Sequence, residues 1–439
     1  MMSFRLSSFV GVMLVCATVT AGDWPQWMGP TRDGLWTETG IVESFPADGL
    51  PVKWRVPIHG GYAGPAVASG RVFVTDYVPA GAAGENDPGK KIELNGTERV
   101  LCLDAVTGEE VWKHEYDCAY KISYPCGPRT TPTVDEDRVY TLGAEGNLFC
   151  LQTADGKVLW SKDLKQEYKT TAPHWGFSGH PLIDGDKLIC LVGGEGSVVV
   201  AFDKLTGKEL WKALSASEEA GYCPPSIIEA GGTRQLMMWT PDAMNSLDPE
   251  TGAVLWSIPL KPQYNMSIMM PRQSGDYLFA SGIGEVGALF KLNSGKPAAT
   301  VEWTGTPKTA AYCANSTPVV VDDVMYGVDC KGGQLRAVEF KTGKRLWESF
   351  APTTGERRGG HGTAFLVKNG PRFFLFSETG DLILAKLTPK KYEEISRFHV
   401  LEPTGECFGR SVVWSHPAFA EKCCFARNDQ EIVCVSLAK

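Results

Sequence analysis

The sequence predicts an all-β fold: an eight-bladed β-propeller with four-stranded antiparallel blades, closed by pairing of an N-terminal strand with the C-terminal strands. Three observations carry this. A turn motif ending in tryptophan recurs at intervals of 44 to 51 residues. An extended segment opens eight times, at Pro65, Pro132, Pro181, Pro225, Pro271, Pro318, Ala364 and Pro417. The last opening is followed by only two more strand patterns before the chain ends at Lys439, while a spare strand pattern stands near the start.

Composition agrees with many short strands. The 439 residues are 43% hydrophobic and 21% charged, enough to bury a substantial core, and 48 glycines and 28 prolines supply tight turns. Length alone suggests two or three domains, but a repeat array runs longer as one unit. A formal net charge of −8 argues against nucleic acid as a partner.

Taken from the start, residues 1–21 read as a signal peptide, with Arg5, the apolar run Phe9–Val19 and small residues at Val19-Thr20-Ala21. The run is shorter than the ~20 residues that cross a bilayer, and Val15 is a poor residue before a lipoprotein Cys16. The expectation is an exported chain, periplasmic or extracellular, without a transmembrane segment after cleavage. Residues 22–50 form an N-terminal extension and 51–439 the propeller. Val52-Lys53-Trp54-Arg55-Val56 alternates as a strand and is expected to pair with Ile432–Leu437.

The repeat itself is Leu103-Asp104-Ala105-Val106-Thr107-Gly108 ending at Trp112, with counterparts ending at Trp160, Trp211, Trp256, Trp303 and Trp347. Thr-Gly is a hairpin turn whose glycine takes positive φ, and the aspartate accepts from turn amides. Each tryptophan sits on a fourth strand and fills the gap between diverging blades, so Trp54, Trp112, Trp160, Trp211, Trp256, Trp303 and Trp347 are the expected blade-docking residues. A β-sandwich does not explain the constant period. Cys102, Cys150 and Cys434 share one repeat position with Ala201, Ser246 and Ala337 and read as a small packing site. Cys118 and Cys126 stand eight residues apart in one irregular loop and are the one expected disulfide.

The Asp-x-x-Thr-Gly-x-x-x-Trp pattern at 104–112, 203–211 and 248–256 resembles the tryptophan-docking repeat of pyrroloquinoline quinone (PQQ)-type propellers. That superfamily includes quinoprotein alcohol dehydrogenases and the non-enzymatic outer-membrane assembly factor BamB. The opening Asp23-Trp24-Pro25-Gln26-Trp27 looks like the start of many secreted PQQ-like propellers. A dehydrogenase of this kind implies PQQ with calcium, a catalytic aspartate, and Glu and Asn ligands. Asn315, Glu195, Asp242, Glu285 and Asp329 have the right chemistry, but none falls in a matching catalytic motif. Cys423-Cys424 resembles the vicinal disulfide of some such enzymes, yet it falls within a strand pattern, where adjacent side chains point to opposite faces.

The connections at 78–98, 113–130, 161–179, 304–316, 348–361 and 396–415 are long and share one face, where binding generally sits. Residues just before each first strand ring the mouth of the central channel on that face. Arg129, His180, Tyr222, Arg272, Asn315, His361 and His416 are therefore the candidate ligand-binding residues, with Trp175, Arg410 and Trp414 in the loops above. The histidines lie on different blades without a local metal-ligand spacing, so no metal is assigned. His59, His114, His174 and His399 read as ordinary surface or loop residues. The favoured function is a non-catalytic propeller of the cell envelope that binds a small-molecule ligand or an envelope protein, without a confident cofactor and as a monomer. The alternative is a PQQ-dependent oxidoreductase; a third reading is a carbohydrate-active or hydrolytic propeller.

Overall fold

The structure, a computed structural model, describes residues 22–216 and 218–439. The expected leader and Cys16 lie outside the described residues. Eight four-stranded antiparallel sheets stand around an axis. The first three blades comprise Ala66–Ala68, Arg71–Pro79, Gly96–Asp104 and Glu110–Asp117; then Thr133–Asp135, Arg138–Leu142, Asn147–Gln152 and Val158–Asp163; then Leu182–Asp184, Lys187–Leu191, Val199–Asp203 and Glu209–Ala213. Blades four to seven begin with Ser226–Ala230, Arg272–Ser274, Val319–Val321 and Ala364–Asn369 and end with Val254–Pro259, Ala299–Thr304, Arg345–Ser349 and Tyr392–His399. Blade eight takes Ala418–Ala420, Cys423–Arg427 and Glu431–Ser436 from the end of the chain and its outer strand, Val52–Pro57, from the beginning. Trp54 stands opposite Cys434 and Arg55 opposite Val433, so the ring closes as expected.

The docking mechanism is visible atom by atom. Asp104 Oδ1 accepts from the amides of Val106 and Thr107 at 2.9 and 3.0 Å, which fixes the turn and places Gly108 at φ +76° against the Trp54 ring. The indole N–H groups of Trp54, Trp112, Trp160, Trp211, Trp303 and Trp347 each donate to a backbone carbonyl of the next blade's turn, at 2.7 to 3.1 Å. Trp256 differs: the next turn closes over six residues, Asn293–Ala298, as Asp104–Glu109 does, but carries Pro297 where that turn has Gly108, and the Trp256 N–H donates to Gln235 Oε1 within its own blade. Every outer strand carries a bulge beside the tryptophan position, which sharpens local twist. Blade seven has Ser396 there, opposite Leu384, and its hydroxyl accepts from the Phe45 amide at 3.0 Å.

The channel does not run through. The segment after residue 22 crosses its short-turn end as a plug. Trp24 exchanges backbone bonds with Val67, the Pro25 carbonyl accepts from Val134, and Trp36 and Gly34 bond to Lys368 in blade seven. Trp24 and Trp36 pack with Phe374 and Phe419. Between them Arg32, 5% exposed, donates to the carbonyls of Pro181, His180 and Pro225. Among the described residues no carboxylate pairs with it, and burial pulls its pKa down to about 9.

The cysteine expectation is corrected. Cys118 and Cys126 are free, as are all twelve described cysteines. Cys118 turns toward Asn147 of blade two, while Cys126 lies against Gly60 and Asp429. Cys423 and Cys424 are buried and unlinked on one strand. The long connections are also more ordered than their composition suggests. They carry two small sheets, Ile92–Leu94 with Tyr120–Ile122 and Gly405–Cys407 with Arg410–Val412, and a short helix Leu164–Tyr168. No described helix is long and apolar enough to cross a membrane.

Candidate functional site

Because the plug closes one end, the long-loop face holds a blind cup instead of a channel mouth. Its volume is about 770 Å³, and residues from all eight blades line it, within the ~300–1,000 Å³ range of small-molecule sites. Trp27, the plug's indole, is the floor. His180 stacks on it at 4.6 Å between ring centroids and His416 meets its edge at 6.3 Å. Tyr62, Arg129, Trp175, Tyr222, Asn315, His361 and Trp414 form the wall, and Tyr264 and Phe408 stand at the lip, 71% and 59% exposed.

The lip is conformationally strained. Tyr124, Tyr264, Asn265, His361 and Phe408 all line the cup with φ between +46° and +58°. Non-glycine residues rarely adopt that region, and each instance costs of order 1 kcal/mol or more. His361 is kept in place by Asn315 Oδ1, 3.2 Å from its Nδ1, and by Phe408, which stacks on it at 5.4 Å.

Electrostatically the cup is quiet. The Arg129 guanidinium lies over the Tyr62 ring and donates to the carbonyls of Trp175, Gly127, Ser123 and Tyr124, so four of its five N–H donors go to backbone. Glu219 accepts from the Tyr222 hydroxyl at 2.8 Å and from the His174 amide at 2.9 Å; burial, then the Glu219 charge, push the Tyr222 pKa up. Burial holds all three histidines below the usual imidazole value, His180 well below it, His416 at about 4, and His361 with a further push from Arg410. They are neutral at physiological pH.

Of the ten expected residues the structure brings eight to the cup: Arg129, Trp175, His180, Tyr222, Asn315, His361, Trp414 and His416. Two stand elsewhere. Arg272 donates to the carbonyls of Arg32 and Asp33, both at 3.1 Å, and holds the plug. Arg410 is paired with the buried Glu378 at 2.7 Å behind the wall. His174, expected as an ordinary loop residue, lines the cup, as do Trp27, Tyr62, Tyr264 and Phe408; of these, Tyr62 stands three residues before Pro65, as Arg129, Tyr222, Asn315 and His361 stand before their own blade entries, and the repeat could have found it.

PQQ is a planar polyanion and calcium wants several free oxygen ligands. The cup has one carboxylate, Glu219, and one arginine, Arg129, both already hydrogen-bonded to protein. Asp242, Glu285 and Asp329 lie outside it and pair with Lys261, Lys331 and Arg336; Glu195 also lies outside. Among the described residues no three His, Cys, Asp or Glu side chains converge. The residues present do not fit that pair of groups.

An eight-bladed ring of tryptophan-docked blades with a closed cup on its loop face defines a PQQ-repeat propeller. A family model described as outer membrane protein assembly factor BamB matches residues 96–349 and 245–438, and the chain belongs to that family. It is similar to the assembly factor BamB of Shewanella oneidensis, 22% identical over 256 residues, 56% of this chain and 63% of that one. It is also similar to quinohemoprotein alcohol dehydrogenase ADH IIB of Pseudomonas putida, 29% identical over 146 residues, 31% of this chain and 21% of that one. The match thus spans less than two thirds of either relative. Among solved structures, BamB from Moraxella catarrhalis superposes with a TM-score of 0.56 at 15% identity, covering 88% of this chain and 97% of that one. Quinohemoprotein alcohol dehydrogenase from Comamonas testosteroni gives 0.62 at 13% identity, covering 97% and 82%. At these identities the likeness is one of fold.

Proposed function

We propose that this chain is a non-catalytic binding propeller of the cell envelope, exported by its leader, which holds a small ligand or a segment of an envelope protein in the cup of its long-loop face. One observation carries the reading: a deep, aromatic-lined cavity whose ionisable groups are neutral or already bonded to protein. Catalysis by proton transfer needs a group poised near the working pH and within reach of substrate, and binding needs only shape and placed polar atoms. The similarity to assembly factors favours the same role.

The second reading, a PQQ-dependent oxidoreductase, has the likeness to quinohemoprotein alcohol dehydrogenases in its favour and the spent donor set against it. The test adds PQQ and calcium to purified protein. The binding reading expects no quinone absorbance after desalting and no alcohol- or sugar-dependent dye reduction. Retained quinone together with dye reduction would overturn it.

A further inference from the structure

The cup's floor is more specific than its wall. Thr131 N–H donates to His180 Nδ1 at 3.0 Å, which places the ring proton on Nε2 and leaves a donor for the cavity. His416 Nδ1 lies 3.0 Å from the Pro417 carbonyl, an acceptor only, so its proton sits on Nδ1 and Nε2 offers a lone pair. The two imidazoles flank one indole. The floor therefore presents one neutral donor and one neutral acceptor about the Trp27 ring, and hydroxyl groups, which both donate and accept, are the small groups that answer such a pair.

The wall does not favour a charged ligand. Arg129 and Glu219 carry opposite charges and are each hydrogen-bonded to protein, and Arg410 is ion-paired behind the wall, so the cup gathers no cluster of one sign to offset the cost of a ligand charge leaving water. A wholly apolar ligand would cover two imidazole edges without replacing their hydrogen bonds to water. The aromatic wall suits a ring with a C–H face, since the electron-rich rings of Trp175 and Trp414 attract weakly positive hydrogens.

We propose that the cup binds an uncharged, polyhydroxylated ring of the saccharide class, with His180 donating to and His416 accepting from its hydroxyls; this rests on the binding reading above and names its ligand class. The volume leaves room for more than one ring.

The experiment screens the protein against an array of neutral and uronate-containing oligosaccharides. The best neutral compound, N-acetyl-tyrosinamide and N-acetyl-tryptophanamide are then titrated by calorimetry and tryptophan fluorescence. A neutral oligosaccharide is expected to bind at one site, and His416→Phe to weaken it about tenfold or more, with an unchanged unfolding midpoint at pH 7.5 showing that the fold is kept. A second readout needs no variant: affinity stays flat from about pH 8 to 5 and falls near pH 4, where His416 loses its lone pair. Binding confined to uronates or to the aromatic amides, binding indifferent to His416→Phe and to acid, or no binding to any neutral saccharide would each overturn the proposal. Capture of only the amides would leave the binding reading standing, whereas dye reduction with PQQ and calcium would remove that reading itself.

Discussion

Trp27 sets the depth of the site, because its ring closes the axis between His180 and His416. It is 8% exposed, so Trp27→Ala is expected to cost about 3–5 kcal/mol in urea unfolding and to open the cup toward the plug. The histidines give a pH dependence whose sign is fixed by their depressed pKa values. Unfolded His416 titrates near 6.5 and the folded group near 4, so between these values the unfolded chain binds the extra proton. Stability is then full above pH 6.5 and falls on acidification through that window, by up to about 3 kcal/mol from His416, with His180 adding in the same direction. Urea midpoints at pH 7 and 4.5 test this, and His416→Phe should flatten the slope. Arg129, His180, Tyr222, Asn315, His361 and His416 were legible because a repeat places the residues just before each first strand at the axis, and Trp175 and Trp414 because they fall in the long loops above it. Arg272 misled because it follows the entry residue Pro271 and already belongs to its blade's first strand, where the Arg32 and Asp33 carbonyls of a distant segment claim it. Trp27 was illegible for the complementary reason: it stands outside any repeat, so no period says where its segment docks.

At the scale of the blade, the turn glycine and the neighbouring indole act together. Gly156 has φ +73°, and a Cβ there would lie 2.5 Å from the Trp112 ring, whereas Gly185 has φ +62° and open space. Gly185→Ala should cost only the backbone term, about 1 kcal/mol, while Gly156→Ala should cost clearly more, at least about 2 kcal/mol, because the docked ring must move. Paired thermal and urea unfolding of the two variants checks the difference. The blades were readable because their parts are local: aspartate, turn, glycine and tryptophan fall within nine residues at Asp104–Trp112. The departures follow where that local unit changes, as with Trp256, which finds Gln235 in place of a turn carbonyl. The disulfide expectation failed for a related reason. Closeness along the chain at Cys118 and Cys126 was a poor guide, because the first thiol faces the second blade and the second thiol faces Asp429 near the closing blade.

At the scale of the whole molecule, the ring depends on one composite sheet. A chain lacking residues 22–57 would leave Glu431–Ser436 with an unpaired edge and the axis unplugged; on size-exclusion chromatography it is expected to associate or aggregate, and the full protein is expected to run as a single species. The closing pair was readable because Trp54 carries the docking residue that the last repeat lacks, but the plug's course past successive blades was not. Arg55 and Glu431, ion-paired at 2.8 Å, are 376 residues apart in sequence. Whatever the direction of delivery, the first strand to emerge has no partner until almost the last residue arrives, so the seam is zipped at the end of biogenesis. Loss of Glu431–Ser436 would therefore do more harm than a nick in any surface loop, since it would strand Val52–Pro57 without a partner.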